Sequence, residues 1–341
     1  MQPELTPAVP PFATLLQMCF GKWVSLAISA AAKLGIADHL EAGPRTSQQL
    51  ATELKVHEMT LYRLLRALAS AGVFHEEEGR LFSQTPLSDL LRSNAKPSLR
   101  SLAIMLVDDW QVKNWAELGW SIETGRPATE KVFGTGLFEH FARHPDDAVN
   151  FNKAMADLSS GDGPTVASSY DFSRFECIVD VGGGTGALLA AILESAPKLR
   201  GMLFDIPYVV EQARTAPNLA SFAGRCEFAG GSFLDGVPKG ADAYIMKHII
   251  HDWDDERAAQ ILKNCRTAMR PGGTLLVVDR VVGPPNQPDQ AKWFDLEMLV
   301  NPGGLERSDP EWRSLFAMSG FHLERIIPMP APQSILEATP A

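Results

Sequence analysis

Residues 177–186 read CIVDVGGGTG, a short apolar run that leads into a cluster of glycines. This pattern predicts a buried strand followed by a tight turn, because glycine lets the backbone turn sharply and approach a ligand closely. The segment Leu188–Leu193 then has a helical pattern. The first turn of a helix offers unpaired N–H groups and a partial positive charge. The strand, loop and helix therefore predict a ligand site at the edge of a parallel sheet.

Strand and helix patterns alternate along the rest of the chain. The predicted strands are Cys177–Val181, Met202–Asp205, Cys226–Ala229, Ala243–Met246 and Thr274–Val278. Helices are expected over Ile206–Arg214 and from Ala258 to Met269. Such alternation predicts an α/β fold with a doubly wound, Rossmann-like parallel sheet. Phe321–Ile327 and Ser334–Ala338 are expected to add an antiparallel pair at its edge.

The N-terminal 110 residues are predicted to be mainly helical. An apolar stripe follows Trp23–Leu40, and Gly43-Pro44 is its expected end. Thr46 and Gln49 have the spacing of a capping box, which opens the next helix. A further helix with leucines on one face and a hairpin over Val73–Phe82 follow. This order of elements is typical of a winged helix.

A winged helix raises the hypothesis of DNA binding. Residues 1–110 contain 10 Lys+Arg against 11 Asp+Glu, and the hairpin tip carries Glu76–Glu78. DNA affinity depends largely on neutralising phosphates, and the whole chain has a net charge of −10. We therefore interpret the module as a packing or dimerisation domain and expect no nucleic-acid partner.

The composition is that of an ordinary globular protein. Hydrophobic residues make up 45% and charged residues 21% of the 341 residues, which excludes a disordered or collagen-like chain. No uninterrupted apolar run reaches the roughly 18 residues of a membrane span, and the first residues lack a signal-peptide pattern. We therefore expect no membrane partner. The four cysteines are scattered, so we expect free thiols in a reducing cytoplasm.

Two acids accompany the glycine loop. Asp205 ends the next predicted strand, where a carboxylate is placed to hydrogen-bond the two ribose hydroxyls of a nucleoside. Gly182, Gly184 and Ala187 also fit the G-x-G-x-x-G/A dinucleotide pattern. Asp180 favours S-adenosylmethionine instead, because in methyltransferases an acid at this place helps to bind the amino group of that cofactor.

Further segments complete a resemblance that runs over nearly the whole chain. They read FNKAM at 151–155, FDIP at 204–207, GGSF at 230–233, KHIIHDW at 247–253 and NPGGLER at 301–307. With the glycine loop, and in this order, the sequence resembles the metal-independent, plant-caffeate-type small-molecule O-methyltransferases and their bacterial relatives. The resemblance implies methyl transfer from S-adenosylmethionine to the hydroxyl of a small aromatic (phenolic) substrate.

The resemblance also implies a division into three regions. Residues 1–110 match a winged-helix dimerisation domain, so a homodimer is expected. Residues 111–168 are interpreted as a helical connector that lines the substrate pocket. Residues 169–341 are interpreted as the Rossmann-like catalytic domain that binds S-adenosylmethionine.

His251 occupies the position of the family's catalytic base. A phenol has a pKa near 10, and a neutral histidine with a pKa of about 6.5 can take its proton during the attack. His248 is the rival within the same motif, but both rings are not expected to face one substrate atom. Asp279 and Glu306 match the two acids that flank the family's histidine. Relatives often carry Glu at the place of Asp279, and Asp is shorter by one methylene.

Further site residues are carried over from the resemblance. The implied cofactor contacts are Asp180, Gly182, Gly184, Gly186, Asp205, Ser232, Phe233 and Lys247. Ser232 replaces an acid that is common in relatives. The implied substrate contacts are Met155, Asp252 and Asn301. Acid clusters such as Asp108-Asp109 or Asp252–Glu256 suggest a Mg²⁺ site, but with a histidine base available we expect no catalytic metal.

Three alternatives stay open at this point. The first is a winged-helix ligand sensor with a degenerate enzyme domain, although Asp180, Asp205, His251 and Glu306 are all intact. The second is a nicotinamide-dependent dehydrogenase. The third stays within the resemblance, since some relatives methylate other groups or use the cofactor without methylating.

Overall fold

The computed structural model describes residues 10–159 and 161–341. The chain forms two compact units, one of Met1–Val112 with His144–Leu158 and one of Lys113–Arg143 with Ser159–Ala341. The first unit has its own apolar core, in which Ile36, Leu50 and Leu65 are fully buried.

Helices dominate the first half of the chain. In chain order, its elements are α1 (Pro11–Leu34), α2 (Ile36–His39), β1 (Arg45–Thr46), α3 (Ser47–Leu54), α4 (Glu58–Ser70), β2 (Phe74–Glu77), β3 (Leu81–Gln84), α5 (Pro86–Asp89), α6 (Arg100–Met105), α7 (Asp109–Ala116), α8 (Leu118–Thr124), α9 (Ala128–Phe133), α10 (Leu137–Arg143), α11 (Pro145–Ser159) and α12 (Asp162–Ser169). The capping box of Thr46 with Gln49 and the predicted β2–β3 hairpin are confirmed.

The prediction for the first helix was wrong at both ends. Helix α1 begins at Pro11, because proline suits the first helical turn. It ends at Leu34, because Gly35 adopts a left-handed conformation with φ +67°. By length and composition, α1 is also apolar enough to cross a membrane, and little of its apolar stretch is buried.

Strands and helices alternate in the second half, as predicted. The elements are β4 (Cys177–Val181), α13 (Ala187–Ser195), β5 (Arg200–Asp205), α14 (Pro207–Arg214), α15 (Pro217–Ala220), β6 (Cys226–Gly230), β7 (Ala243–Lys247), α16 (Asp255–Ala268), β8 (Thr274–Asp279), β9 (Val281–Val282), α17 (Ala291–Val300), β10 (Arg307–Ser308), α18 (Asp309–Met318), β11 (Phe321–Pro328) and β12 (Ser334–Pro340). Short 3-10 helices cover Phe172–Arg174 and Ile250–Asp252.

The central sheet has seven strands in the order β11-β12-β8-β7-β4-β5-β6. Strands β4 to β8 pair in parallel, and β12 pairs antiparallel with both β8 and β11. The predicted α/β fold and the antiparallel pair are therefore confirmed. Strand β12 lies inside the sheet, between β8 and β11, so of this antiparallel pair β11 alone is an edge strand; β6 forms the opposite edge.

Apolar layers cover both faces of this sheet. Ile178 and Leu203 pack into one layer, and their neighbours Val179 and Phe204 pack into the other. All six residues of β8 are buried, which is typical of a strand covered on both faces. The fold thereby brings the carboxyl ends of β4, β5, β7 and β8 to one edge, where Asp180, Asp205, Lys247 and Asp279 lie.

Candidate active site

The glycine loop joins β4 to helix α13 through residues with positive φ. Gly182 has φ +71°, and a Cβ atom there would overlap the side chain of Ile249. Gly186 has φ +78° and is the N-cap residue of α13. A larger residue is therefore strained at either position. The loop keeps its backbone open beside the N-terminus of α13, as the sequence predicts.

Asp205 is tied to this loop. Its carboxylate accepts hydrogen bonds from the backbone N–H groups of Gly184 at 2.9 Å and Ile206 at 2.7 Å. Burial raises the pKa of Asp205, although the two N–H groups oppose this shift. The acid at the end of β5 is thus held next to the glycines by the backbone.

Asp180 lies beneath the loop and is 1% exposed. Its Oδ2 atom has no hydrogen-bond partner among the described residues. Burial raises the pKa of Asp180 to about 7, while the positive charge of Lys247 acts in the opposite direction. A buried acid without a full set of donors is suited to receive a positively charged group.

Lys247, at the end of β7, contacts residues that the sequence analysis missed. Its Nζ atom lies 2.9 Å from Oδ2 of Asp162 and 3.1 Å from Oγ of Ser159. The ion pair and the imidazole of His248 hold the pKa of Asp162 below its usual value, although burial would raise it. The position of Asp162 in the first turn of a short helix gives no sign of this contact.

Ser232 and Phe233 lie in the turn after β6. The Oγ atom of Ser232 accepts a hydrogen bond from the backbone of Leu234 at 3.3 Å. The ring of Phe233 meets the ring of Trp253 edge-on, with centroids 6.0 Å apart. A Cβ atom on Gly182 would be 3.8 Å from the Phe233 ring, so Phe233 lies beside the glycine loop.

His251 follows β7 in the 3-10 turn and is 7% exposed. Its Nδ1 atom lies 2.9 Å from Oε1 of Glu306. The backbone N–H of Leu305 donates to the carbonyl oxygen of His251 at 2.9 Å. A Cβ atom on Gly304 would overlap that same carbonyl oxygen, so glycine permits the close approach of the Glu306 segment.

Further carboxylates surround the ring of His251. The Nδ1 atom lies 3.9 Å from Oδ1 of Asp279, and Nε2 lies 3.6 Å from Oδ1 of Asp252. Burial by itself lowers the pKa of His251, but the negative charges of Asp279, Asp252 and Glu306 together raise it to about 9. The pKa of His251 in the free protein therefore lies above the ordinary histidine value of about 6.5.

The two neighbouring acids respond in opposite directions. Burial raises the pKa of Asp252 to about 6, against the attraction of His251. Burial would also raise the pKa of Asp279, but His251, His248 and Arg280 hold it below its usual value. The guanidinium of Arg280 also lies 3.5 Å from Glu306, a contact that the sequence analysis missed.

His248 shares Asp279 with His251, but its other partners differ. Its backbone has φ +56°, which is uncommon for a residue other than glycine. Its Nδ1 atom lies 3.6 Å from Asp279, and its Nε2 atom lies 3.0 Å from Nε2 of Gln333. The two imidazole centroids are 5.2 Å apart.

The segment that carries Glu306 is held by several hydrogen bonds, which are partly buried. The backbone N–H of Glu306 donates to Oδ1 of Asp295 at 2.9 Å. Arg307 is fully buried and donates to the carbonyl oxygen of Trp253 at 3.0 Å and to Asp255 at 2.8 Å. These bonds fix the segment against the turn that carries His251.

The predicted substrate contacts have different surroundings. Asn301 is buried, and its amide accepts from Asn114 at 2.8 Å and donates to Glu297 at 2.7 Å. Met155 lies on α11, in the first of the two units, and is partly buried. The structure thus brings together Asp180, Asp205 and Lys247, and separately His251, Asp252, Asp279 and Glu306.

Comparison with known families identifies both parts of the chain. Residues 115–322 match the profile of an O-methyltransferase domain, and residues 16–94 match an O-methyltransferase dimerisation domain. The chain belongs to the O-methyltransferase family. The enzyme is an O-methyltransferase that uses S-adenosyl-L-methionine as its cofactor, which decides against the nicotinamide-dependent dehydrogenase.

The chain is similar to curated methyltransferases whose names give different acceptor atoms. Phenazine O-methyltransferase PhzM of Lysobacter antibioticus is 44% identical over 98% of this chain and 97% of its own. The 8-amino-8-demethylriboflavin N,N-dimethyltransferase of Streptomyces davaonensis is 33% identical over 96% of both chains. The names of these relatives therefore include both oxygen and nitrogen acceptors.

Solved structures support the same assignment. The crystal structure of LaPhzM has a TM-score of 0.91 and 43% identity, and covers 98% of this chain and 100% of that one. NcsB1 from neocarzinostatin biosynthesis, in complex with S-adenosyl-L-homocysteine and 1,4-dihydroxy-2-naphthoic acid, has a TM-score of 0.79 and 33% identity. That similarity covers 93% of this methyltransferase and 96% of NcsB1.

Proposed function

We propose that this enzyme methylates the hydroxyl of a small aromatic substrate, with His251 as the general base. The observation that carries the proposal is the 2.9 Å contact between Nδ1 of His251 and Glu306. A base needs a second group that fixes its orientation and tautomer. With Nδ1 engaged by Glu306, the Nε2 atom is the one left to receive a proton from the substrate.

The charges around His251 support this role. A phenol with a pKa near 10 is a poor nucleophile until its proton leaves. Proton transfer to a base of pKa about 9 is far less uphill than transfer to one of about 6.5. Asp279, Asp252 and Glu306 favour the imidazolium that forms. The neutral imidazole is the minor form at pH 7, so the rate is expected to rise with pH.

The cofactor is assigned to the residues at the ends of β4, β5 and β7. Asp180 would receive the amino group of S-adenosylmethionine, and the backbone of Gly182, Gly184 and Gly186 would line its amino-acid part. Asp205 would accept hydrogen bonds from the ribose hydroxyls. Two observations support this placement. The carboxyl group of Asp180 is buried, and the backbone N–H of Gly184 holds the carboxylate of Asp205 beside the loop.

The remaining assignments concern contacts around these groups. Ser232 and Phe233 are proposed as neighbours of the adenosine, and Lys247 as a further cofactor contact. Asp252 is proposed as a substrate contact, because it lies 3.6 Å from the Nε2 atom of His251. The amide oxygen and the amide nitrogen of Asn301 already form hydrogen bonds with other side chains. We therefore propose that Asn301 holds its segment in place beside the substrate instead of binding the substrate directly. Met155 stays a proposed pocket residue.

We also propose that the enzyme is a homodimer in the cytoplasm, without a membrane or nucleic-acid partner. Helix α1 exposes a row of large apolar side chains, of which Phe12 is 78% and Met18 is 71% exposed. Phe20 and Trp23 stack on each other with centroids 4.2 Å apart, and both are exposed. An apolar face of this kind marks an interaction surface, and the dimerisation-domain match includes most of α1.

The experiment is a methyl-transfer screen with matched pairs of hydroxy- and amino-substituted aromatics, including phenazines and naphthoic acids. Formation of methyl ethers, detected by mass spectrometry, with little methylation of the matching amines, supports the proposal. Preference for the amines would overturn it, since a neutral aromatic amine attacks without first losing a proton. Methylation of neither, together with retarded DNA in a gel-shift assay, would favour the ligand sensor.

A further inference from the structure

Two imidazoles and a carboxylate converge beside the proposed base. His248, His251 and Asp279 each offer one ligand atom, and these atoms all lie within 4.8 Å of one another. The Oδ1 atom of Asp279 lies 3.6 Å from Nδ1 of His248 and 3.9 Å from Nδ1 of His251. Tetrahedral zinc with bonds of about 2.0–2.1 Å keeps its ligands about 3.3 Å apart. The two distances to Asp279 are within a few tenths of an ångström of this separation, and the two imidazoles, whose ligand atoms lie within 4.8 Å, would have to move closer together.

The carboxylate at the centre of this triad is buried and unsatisfied. Asp279 is 0% exposed, and neither of its side-chain oxygens has a hydrogen-bond partner among the described residues. The Oε2 atom of Glu306 is also buried without such a partner. Buried carboxylate oxygens without donors carry a desolvation penalty, which the charges of His251 and Arg280 offset in part and a bound cation would offset further.

A second ring of carboxylates lies on the far side of both imidazoles. The Nε2 atom of His248 is 3.6 Å from Asp162, and the Nε2 atom of His251 is 3.6 Å from Asp252. A metal-bound histidine usually donates its other ring N–H to a carboxylate, which fixes the ring and makes it a stronger ligand. Both rings have such a partner within a short movement.

We propose that His248, His251 and Asp279 form an inhibitory binding site for a transition-metal ion such as Zn²⁺. Imidazole with carboxylate is a ligand set for Zn²⁺, Co²⁺ or Ni²⁺ and is a poor one for Mg²⁺ or Ca²⁺. Glu306 can supply the fourth ligand, because its Oε1 atom lies 2.9 Å from Nδ1 of His251. The ion takes the place of the proton on Nδ1.

The inhibition rests on the proposed role of His251. An imidazole that carries a metal ion on Nδ1 cannot accept a further proton on Nε2 to become an imidazolium. The phenolic proton then has no acceptor, and methyl transfer slows. The metal is therefore an inhibitor of this enzyme, and turnover in excess EDTA should stay at or above the untreated rate.

The binding test uses Co²⁺ as the probe. Enzyme treated with EDTA and then dialysed is titrated with Co²⁺, and the visible ligand-field absorption of the bound ion is recorded. We expect one Co²⁺ per chain, displaced by Zn²⁺. His248→Asn should weaken Co²⁺ binding at least about tenfold, the smallest loss usually seen when even an outer partner is removed. Asparagine is chosen because it tolerates a positive φ.

The control is His322→Asn, which removes an exposed histidine from β11 and should leave Co²⁺ binding unchanged. Asp279→Asn is a second variant of similar shape and should also lose the ion. Unchanged Co²⁺ affinity in His248→Asn, or no absorption in the wild type, overturns the metal site. If Asp279→Asn does not fold, the comparison of His248→Asn with His322→Asn decides.

The activity test separates this site from the proposed base. Zn²⁺ should inhibit wild-type methyl transfer, EDTA should restore it, and the Zn²⁺ concentration for half inhibition should rise at least about tenfold in His248→Asn. If Co²⁺ and Zn²⁺ bind as described but methyl transfer continues, the metal site stands as a binding site, its inhibitory role is refuted, and His251 is not the base.

Discussion

The Nδ1 atom of His251 and the Oε1 atom of Glu306 lie 2.9 Å apart, although 55 positions separate the two residues in the chain. The contact depends on Gly304, where a Cβ atom would overlap the carbonyl oxygen of His251. It also depends on Asp295, which accepts the backbone N–H of Glu306. The turn of His251, the segment of Gly304 and Glu306, and Asp295 on α17 therefore hold the pair together.

His251→Ala should lower turnover on an ordinary phenol roughly 10²–10⁴-fold, the usual contribution of a general base. The affinity for S-adenosylmethionine should barely change. The variant should handle a phenol that is already ionised at pH 8 comparatively well. Turnover is measured against pH on two phenols of different acidity.

On the weakly acidic phenol, the rate of the His251→Ala variant should climb toward pH ~10, the pKa of the phenol itself. The wild type should level off near pH 9, because the pKa of its histidine is raised to about 9. Near-wild-type turnover of the variant on this phenol would make His248 the next candidate.

Glu306→Gln should reduce turnover less than His251→Ala does, because an amide oxygen still accepts from Nδ1 of the imidazole. It should also move the plateau of the pH profile to lower pH, since one of the charges that raise the pKa of His251 is lost. The surface change Glu324→Gln is the control and should leave the profile in place. A profile that stays at pH 9 would show that Glu306 does not set the basicity of His251.

Asp205→Ala should weaken S-adenosylmethionine binding by about 1.5–3 kcal/mol, the scale of hydrogen bonds to a charged group. The reason is the loss of the acceptor at the end of β5. Binding is measured by isothermal titration, with Glu211→Ala on the exposed face of α14 as the control. A folded Asp205→Ala variant with an unchanged dissociation constant would refute the ribose contact.

Cofactor affinity should depend on the protonation of Asp180. Burial raises the pKa of this acid to about 7, and a bound ammonium group favours the carboxylate. Binding therefore lowers the pKa, and affinity should fall roughly tenfold per pH unit well below 7. Titrations from pH 5.5 to 7.5 test this, and Asp180→Asn should bind weakly with a flat profile. An equal pH dependence in Asp180→Asn would exclude this acid as the source.

Gly304→Ala should destabilise the protein by about 1–3 kcal/mol, the usual cost of overpacking a buried site. It should also lower turnover, because the Glu306 segment must move away from the turn of His251. Gly119→Ala is the matched control, since nothing lies within 4 Å of a Cβ atom there. Thermal unfolding and turnover are compared for both variants. Equal behaviour of the two would show that the close approach at Gly304 has no consequence.

Much of the fold could be predicted from local sequence patterns. The alternation of apolar runs and helices after residue 170 predicted the parallel strands, and the glycine loop predicted the turn beneath α13. Helix α1 was harder, because the exposed residues before Trp23 are as apolar as buried ones. Periodicity alone does not distinguish an apolar side chain at an interaction surface from an apolar side chain in the core.

The candidate site was predictable only where a motif carries it. His251, Asp279 and Glu306 were found through a family pattern, and the structure brings them together. Asp162, Arg280 and Gln333 lie near the same imidazoles or acids but belong to no motif. Contacts between distant segments depend on packing, and the raised pKa of His251 depends on the sum of those contacts.

The interior position of β12 bears on how shortened forms of the enzyme should be designed. The match to the O-methyltransferase domain ends at residue 322, so a truncation there would keep the whole matched region. It would remove Gln333 and the strand that pairs with β8 along Ala338–Ser334. The exposed edge of β8, an all-apolar strand apart from its two end residues, would then invite intermolecular strand pairing and aggregation. Shortened forms of the enzyme should therefore retain the chain through Pro340.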